Sequence, residues 1–277
     1  TERLRERAEL SSHLDVPGVL RTTDYGEIEV GKPFVVSERV PGHTLQTLLE
    51  REGTLPPARV GTLLERVCSI VEDAHERGIP HGGLGPRWVH LRDGSLESAM
   101  VGHFQLGLTP EELQLSESAL TSVEAISSLP PESARGASGD GESFTEAGDI
   151  YALGVLAYVS LVGVHPHFDE DTAPEAALET LASQEPQPLS ELGIDPDVSR
   201  VVARALSTDP SDRWSSPRAF AAAFSEAIAP EDHDPREDDD STDSPVLGES
   251  GEPSALSTDE SQERAPGPAD LLITVAI

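Results

Sequence analysis

Cysteine is nearly absent from this 277-residue chain: Cys68 is its one thiol. That excludes an internal disulfide and any cysteine-based metal cluster, and it suits a reducing compartment. Lysine is equally scarce, with Lys32 alone, so the basic side chains are almost all arginine. Aromatic residues make up 4% of the chain, which leaves a core built mainly from Leu, Val and Ala. Positive charge is outweighed as well: 51 acidic residues against 19 basic ones give a formal net charge of -32. Binding to a nucleic-acid backbone relies on clustered Lys and Arg, so no nucleic-acid partner is expected. Long apolar runs are missing too. The uncharged stretch 150–164 is shorter than the about 20 residues a spanning helix needs, so no membrane contact is expected within residues 1–268. No signal peptide is visible, and the expected location is cytoplasmic. An acidic, lysine-poor surface fits a halophilic, high-salt cytoplasm, where self-repulsion is screened; a GC-rich genome plus one acidic tail accounts for it equally well.

What is present is organised around residues 149–168, DIYALGVLAYVSLVGVHPHF. Apolar side chains occupy every face of this stretch, which predicts a helix buried all round, with Asp149 as its N-cap and Gly163 and Pro166 as its stop. Upstream, residues 2–14 read as a helix presenting Leu4, Leu10 and Leu14 on one face. Strand-like runs follow at 19–30 and 33–40, then a helix over 44–52 stopped by Gly53. A longer helix over 58–77 has Val60, Leu63, Leu64, Val67, Ile70, Val71 and Ala74 at helical spacing. Residues 79–108 read as short strands and loops, and 109–145 as loop. Helices are expected at 173–183, 197–207 and 215–228, the last with Ser216 as N-cap and Pro217 in its first turn. Beyond Pro230 the composition changes to Asp, Glu, Ser, Pro and Gly, which cannot bury enough surface to offset ordering entropy. Residues 231–270 hold 14 acids and 2 arginines, a net of -12, which leaves -20 on the rest of the chain. The terminal LLITVAI is a lone apolar run that reads as the start of a strand or of a membrane segment.

The central stretch resembles the central large-lobe helix of protein kinases, usually D-[IV]-[WY]-[SA]-L-G-[VC]-x-L-Y-x-[ML]-x-[TS]-G-x-x-P-F. It matches at Asp149, Ile150, Tyr151, Ala152, Leu153, Gly154, Val155, Gly163, Pro166 and Phe168. Six further segments fall in the family's order, among them PFVVSERVPGHTLQTLL, which resembles the last small-lobe strand, the hinge and the helix after it. RAELSSHLDVPGVLRTTDYGE resembles the regulatory helix and following strand, and HGGLGPRWVHL falls where the catalytic loop H-R-D-L-x-x-x-N belongs. VGHFQLGL falls at the Asp-Phe-Gly segment, LPPESARG is similar to the Ala-Pro-Glu segment, and ALSTDPSDRW to the late-helix A-L-x-x-[DN]-P-x-x-R-[WY] motif. Over residues 2–227 the chain is thus identified as a member of the bacterial-type serine/threonine protein kinase family, N-terminally truncated because it begins at Thr1, after the Gly-rich loop and its lysine. The resemblance implies an α+β protein-kinase-like fold with a mostly helical large lobe. Residues 1–40 would be a partial small lobe, 41–229 the large lobe and 230–277 a disordered acidic tail.

Phosphoryl transfer needs an Asp to accept the hydroxyl proton, a loop Asn and an Asp-Phe-Gly Asp on Mg²⁺, and a Lys–Glu pair on the phosphates. By the resemblance the Asp position is Gly83, with Gly82 in the adjacent Arg place. The loop Lys position is Gly85, the Asn position Trp88, and the triplet reads His103-Phe104-Gln105. The helix Glu aligns best with Arg7, with Glu6 and Glu9 a residue or two away. Mg²⁺ prefers oxygen ligands, which Gly, Trp and neutral His lack. The scaffold positions survive: His81 in the structural spine, Phe104 as the plug, Glu132 and Arg213 as an ion pair, and Asp149 bracing the catalytic loop. The expectation is therefore a pseudokinase, not an enzyme, acting as a regulatory or protein-binding module with a protein partner. No Mg²⁺ is expected, and ATP is at most a ligand of the hinge candidates Glu38 and Val40. The alternative is an atypical active serine/threonine kinase using ATP through unrecognised carboxylates.

Overall fold

A computed structural model of the chain describes residues 2–29, 32–107, 126–136, 144–169, 171–229 and 271–274. Helix α1 (Glu2–Ser12) is followed by strands β1 (Thr22–Glu29), β2 (Lys32–Glu38) and β3 (Gly42–Thr44). Helices α2 (Leu45–Glu52) and α3 (Pro57–His75) lead to a 3₁₀ turn (Pro86–Trp88) and to β4 (Val89–Arg92) and β5 (Ala99–Val101). The rest is helical: α4 (Pro131–Ala134), α5 (Glu146–Val162), α6 (Pro174–Ser183), α7 (Pro196–Ala205) and α8 (Pro217–Ala227), with β6 (Leu271–Thr274) closing the order. Two three-stranded sheets form, ordered β1-β2-β6 and β3-β4-β5, and their pairings are antiparallel.

Helix α5 is the axis of the molecule. From Asp149 to Tyr158 every residue is buried, and α3, α7 and α8 pack around it. A helix without a polar stripe gains stability only when other elements cover all its sides. It ends on Gly163, whose φ of 77° is the left-handed turn that glycine adopts at least cost. Its start corrects the sequence reading. Thr145, not Asp149, is the N-cap, and its side chain accepts from the Gly148 N–H. Asp149 lies inside the first turn, and its carboxylate is free to act elsewhere.

Helix α3 buries Val60, Leu63, Leu64, Val67, Ile70, Val71 and Ala74, the residues at helical spacing. Ser216 caps α8 through the Ala219 N–H. The face assigned to this segment is corrected at Leu10, which is 51% exposed; Leu14 is buried as expected, together with Arg7, Ala8 and Ser11. These four recur at helical spacing on the side turned to the protein, and Ser11 shares a hydrogen bond with Thr22 of β1 at 3.1 Å. The expected tail is corrected in one place. Residues 271–274 form β6, paired with β2 in the register Val35↔Thr274 to Glu38↔Leu271. The expectations for 230–270, and most of those for 109–143, lie outside the described residues. No helix among the described residues is long and apolar enough to cross a membrane.

Candidate active site

The site is built on the loop between α3 and β4, and Asp149 of α5 holds that loop. One oxygen of its carboxylate, Oδ2, accepts from the His81 N–H at 2.6 Å and lies 2.7 Å from His75 Nε2; the other, Oδ1, accepts from the Gly82 N–H at 2.9 Å. Asp149 is 1% exposed. A buried carboxylate is tolerated because charge-assisted donors surround it. His81 is fully buried, its Nε2 is 2.9 Å from the Gly102 carbonyl, and its ring lies 4.6 Å from that of Phe104. Burial pushes the His81 imidazole below its ordinary range, against the pull of the Asp149 charge.

Residues 103–107 lie directly on this loop. The Gln105 N–H donates to the His81 carbonyl at 2.7 Å, and its side-chain amide donates to the Pro80 carbonyl. Phe104 is fully buried beneath them. His103 stacks on Trp88 with ring centroids 3.7 Å apart. Burial pushes His103 down to about 3, and the neighbouring His81, His90 and Arg87 act in the same direction. The imidazole is thus neutral at physiological pH and packed face to face with an indole. This pair offers Mg²⁺ no oxygen, so Trp88 and His103 do not fit the metal that the fold family implies. Among the described residues no group of three or more His, Cys, Asp or Glu converges as a metal site.

Three glycines close the loop. Gly83 has φ of 145°, and a Cβ there would sit 3.0 Å from the Gly107 Cα. A Cβ on Gly107 would meet the Gly82 carbonyl oxygen at 1.7 Å, and one on Gly82 would meet the Phe144 ring at 2.2 Å. A side chain at either aligned position is strained in this conformation, since both carry positive φ, Gly82 faces the Phe144 ring and Gly83 presses on the Gly107 backbone. Gly85 differs, since a Cβ there meets nothing within 4 Å. Arg7 joins the parts: one guanidinium nitrogen donates to the Gly107 carbonyl at 2.9 Å, and the group lies 5.5 Å from the centre of the Phe144 ring. The helix residue aligned with the family's glutamate thus bonds to the segment beside the loop.

The hinge candidates stand at the end of β2. Glu38 accepts from the Arg21 N–H at 3.2 Å, and its backbone is in register with Leu271 of β6. Val40 is half-buried just beyond. Below the loop, Arg213 and Glu132 form a two-pronged pair at 2.8 and 2.6 Å. Sequence reading missed His75, Gly107, Phe144 and the role of Arg7. Only Arg7 carried a signal, a basic residue on the apolar face of its helix.

A second group of histidines supports the segment after α5. His165 Nε2 lies 2.9 Å from the Ser127 carbonyl, and His167 Nε2 lies 2.7 Å from the Tyr151 hydroxyl. Burial depresses both to about 4. For a base whose folded value is lowered, the unfolded chain binds the extra proton below about pH 6.5, so stability is complete above that value and falls as the pH drops toward 4. By that linkage His103 and His165 are each expected to remove about 2–3 kcal/mol between pH 7 and pH 4.5. The measurement is the urea midpoint in 1 M KCl, where relief of carboxylate repulsion is screened. A midpoint that stays level or rises contradicts neutral buried imidazoles.

The helical body around α5, the β3-β4-β5 sheet beside its loop and the strand pair against α1 together make the protein-kinase fold. The solved kinase domain of PknI from Mycobacterium tuberculosis superimposes with a TM-score of 0.61 at 25% identity, covering 82% of this chain and 78% of that one. In sequence the chain is 32% identical over 228 residues to the serine/threonine-protein kinase pkn3 of Myxococcus xanthus, covering 79% of this chain and 41% of that protein. It is 28% identical over 235 residues to the serine/threonine-protein kinase PknH of Mycobacterium bovis, covering 84% of this chain and 38% of that one. These relatives are bacterial serine/threonine protein kinases. The chain spans less than half of their length, and no family model matches it. The expectation of a chain that is not an enzyme is corrected here: relatives across four-fifths of its length are named as protein kinases, which points to an enzyme.

Proposed function

We propose that this chain belongs to an atypical serine/threonine protein kinase that transfers the terminal phosphoryl group of ATP to a protein hydroxyl, at a low rate. Its relationship to named kinases across the whole described body carries the reading. The Asp149 clamp supports it, because it holds the backbone of residues 81–82 in a fixed place. The physics allows it. The transition state is loose, and catalysis is mostly positioning, with little covalent chemistry for the protein to perform. Loss of a general base at Gly83 costs about 10²–10⁴-fold in rate, not all of it. Trp88 and His103 contribute no metal ligand to the reaction. The protein partner in this reading is the acceptor substrate.

Radiolabelled ATP with a generic acceptor protein tests it. Incorporation above the enzyme-free background is expected, abolished by Val40→Trp at the hinge. Incorporation at background overturns the proposal, and so does incorporation that Val40→Trp leaves intact.

A further inference from the structure

A groove of about 710 Å³ lies between α4, α7, the segment joining α6 to α7 and the segment that follows α7. Tyr158 of α5 lines it. This side chain is 2% exposed, yet its hydroxyl has no hydrogen-bond partner among the described residues. A tyrosine buried to this degree usually pairs its hydroxyl within the protein. Here the polar end faces the groove. Burial and the Glu191 carboxylate push the phenol above its ordinary range, so it stays protonated and neutral.

The rim is acidic. Glu185, Asp209 and Asp212 line it and are exposed. Asp209 is engaged with Ser211, but the carboxylates of Glu185 and Asp212 have no side-chain partner among the described residues. Glu132 on the same wall is neutralised by Arg213. The basic residue of the lining, Arg135, is turned to the Ala182 carbonyl at 2.8 Å. A concave site with a solvent-open hydroxyl that no described protein group engages, and with unpaired carboxylates at its mouth, is complementary to a cation that carries several donors. A guanidinium meets that description: planar, always charged, and able to donate to the carboxylates and the hydroxyl together.

We propose that this groove docks an arginine-bearing peptide segment of a protein partner, with the guanidinium seated between Tyr158, Glu185 and Asp212. The docking does not depend on phosphoryl transfer.

The probe is a fluorescein-labelled peptide of alternating Arg and Gly, titrated with the full chain at 150 mM KCl and read by fluorescence anisotropy. The neutral control peptide has Gln for Arg. Tyr158→Phe removes a single oxygen and keeps the packing, so its melting temperature serves as the folding check. A hydrogen bond to a charged group is large enough that Tyr158→Phe is expected to weaken binding about tenfold, and Glu185→Gln with Asp212→Asn by a similar factor. Glu6→Gln with Glu9→Gln, on α1, removes equal charge elsewhere and is expected to change binding less than about twofold. No binding of the Arg peptide, or equal binding of the Gln peptide, overturns the proposal. It also fails if the α1 pair weakens binding as much as the groove pair does, since the attraction is then the net charge of the chain. A neutral result for Tyr158→Phe with loss at the acids overturns the seat as well and leaves only a charged surface.

Discussion

Glu132→Ala is expected to destabilise the protein by about 3–5 kcal/mol, more than any surface substitution, because it strands a buried cation. The Arg213 side chain is 0% exposed, while that of Glu132 is 23% exposed. The guanidinium donates to both Glu132 oxygens, to the Ala147 carbonyl at 2.8 Å and to the Ser207 carbonyl at 2.9 Å, and it lies 5.1 Å from the Tyr151 ring centre. Two carbonyl acceptors cannot neutralise the charge once the carboxylate is gone. For a body of this size the loss corresponds to a fall in melting temperature of roughly 10 °C. The burial asymmetry gives a second test. Glu132→Ala combined with Arg213→Leu should cost less than the two single changes added together, since the double variant leaves no unpaired charge. A melting curve unchanged by Glu132→Ala, or strictly additive variants, removes the pair from the architecture.

The pair also shows which parts of the fold were legible. Glu132 and Arg213 were recognised through two short segments, LPPESARG and ALSTDPSDRW, 81 residues apart. Helices α3 and α5 were legible for a different reason: burial leaves a period, or the absence of one, that composition records directly. The start of α5 was misplaced because Thr145 and Asp149 are both good capping acceptors one turn apart, and only the fold decides that Asp149 is needed elsewhere. The buried face of α1 was misread because Leu10 looks like core, while Arg7 buries its stem and sends its head to Gly107. The packing of Gly82, Gly83 and Gly107 left no trace in any local pattern. It is backbone meeting backbone across segments about 25 residues apart, and glycine is compatible with almost any loop. The catalytic positions could be seen to be empty of oxygen, but not to be closed by a neighbouring chain segment. For that reason a Gly83→Asp restoration is expected to strain the loop, through its positive φ and its contact with the Gly107 backbone, quite apart from its chemistry.

Asp149→Asn is expected to be almost as damaging as a deletion of the side chain, although it changes one atom. The two carboxylate oxygens accept from three groups: Gly82 N–H on one, His81 N–H and His75 on the other. An asparagine has one acceptor and one donor end. Whichever way the amide is turned, its NH₂ faces a backbone N–H that it cannot satisfy, either that of Gly82 or that of His81. A buried donor left unsatisfied costs about 1–3 kcal/mol, and the facing donors repel each other on top of that. At 1% exposure, water cannot repair the loss. Asp149→Ala leaves both backbone donors unpaired and is expected to cost more, about 3 kcal/mol or above. The effect should also be local. The loop at 81–83 is held against 103–107 by the His81 carbonyl bond to Gln105, so loosening it frees the ends of both segments. Amide hydrogen exchange at His81 and Gly82 should therefore speed up by more than the global loss of stability explains. Phosphate incorporation, where the wild type shows it, should fall by at least about a hundredfold, since positioning is what this site has left to contribute. If the Asp149→Asn variant keeps both its melting temperature and slow exchange at these two amides, the carboxylate does not clamp the loop.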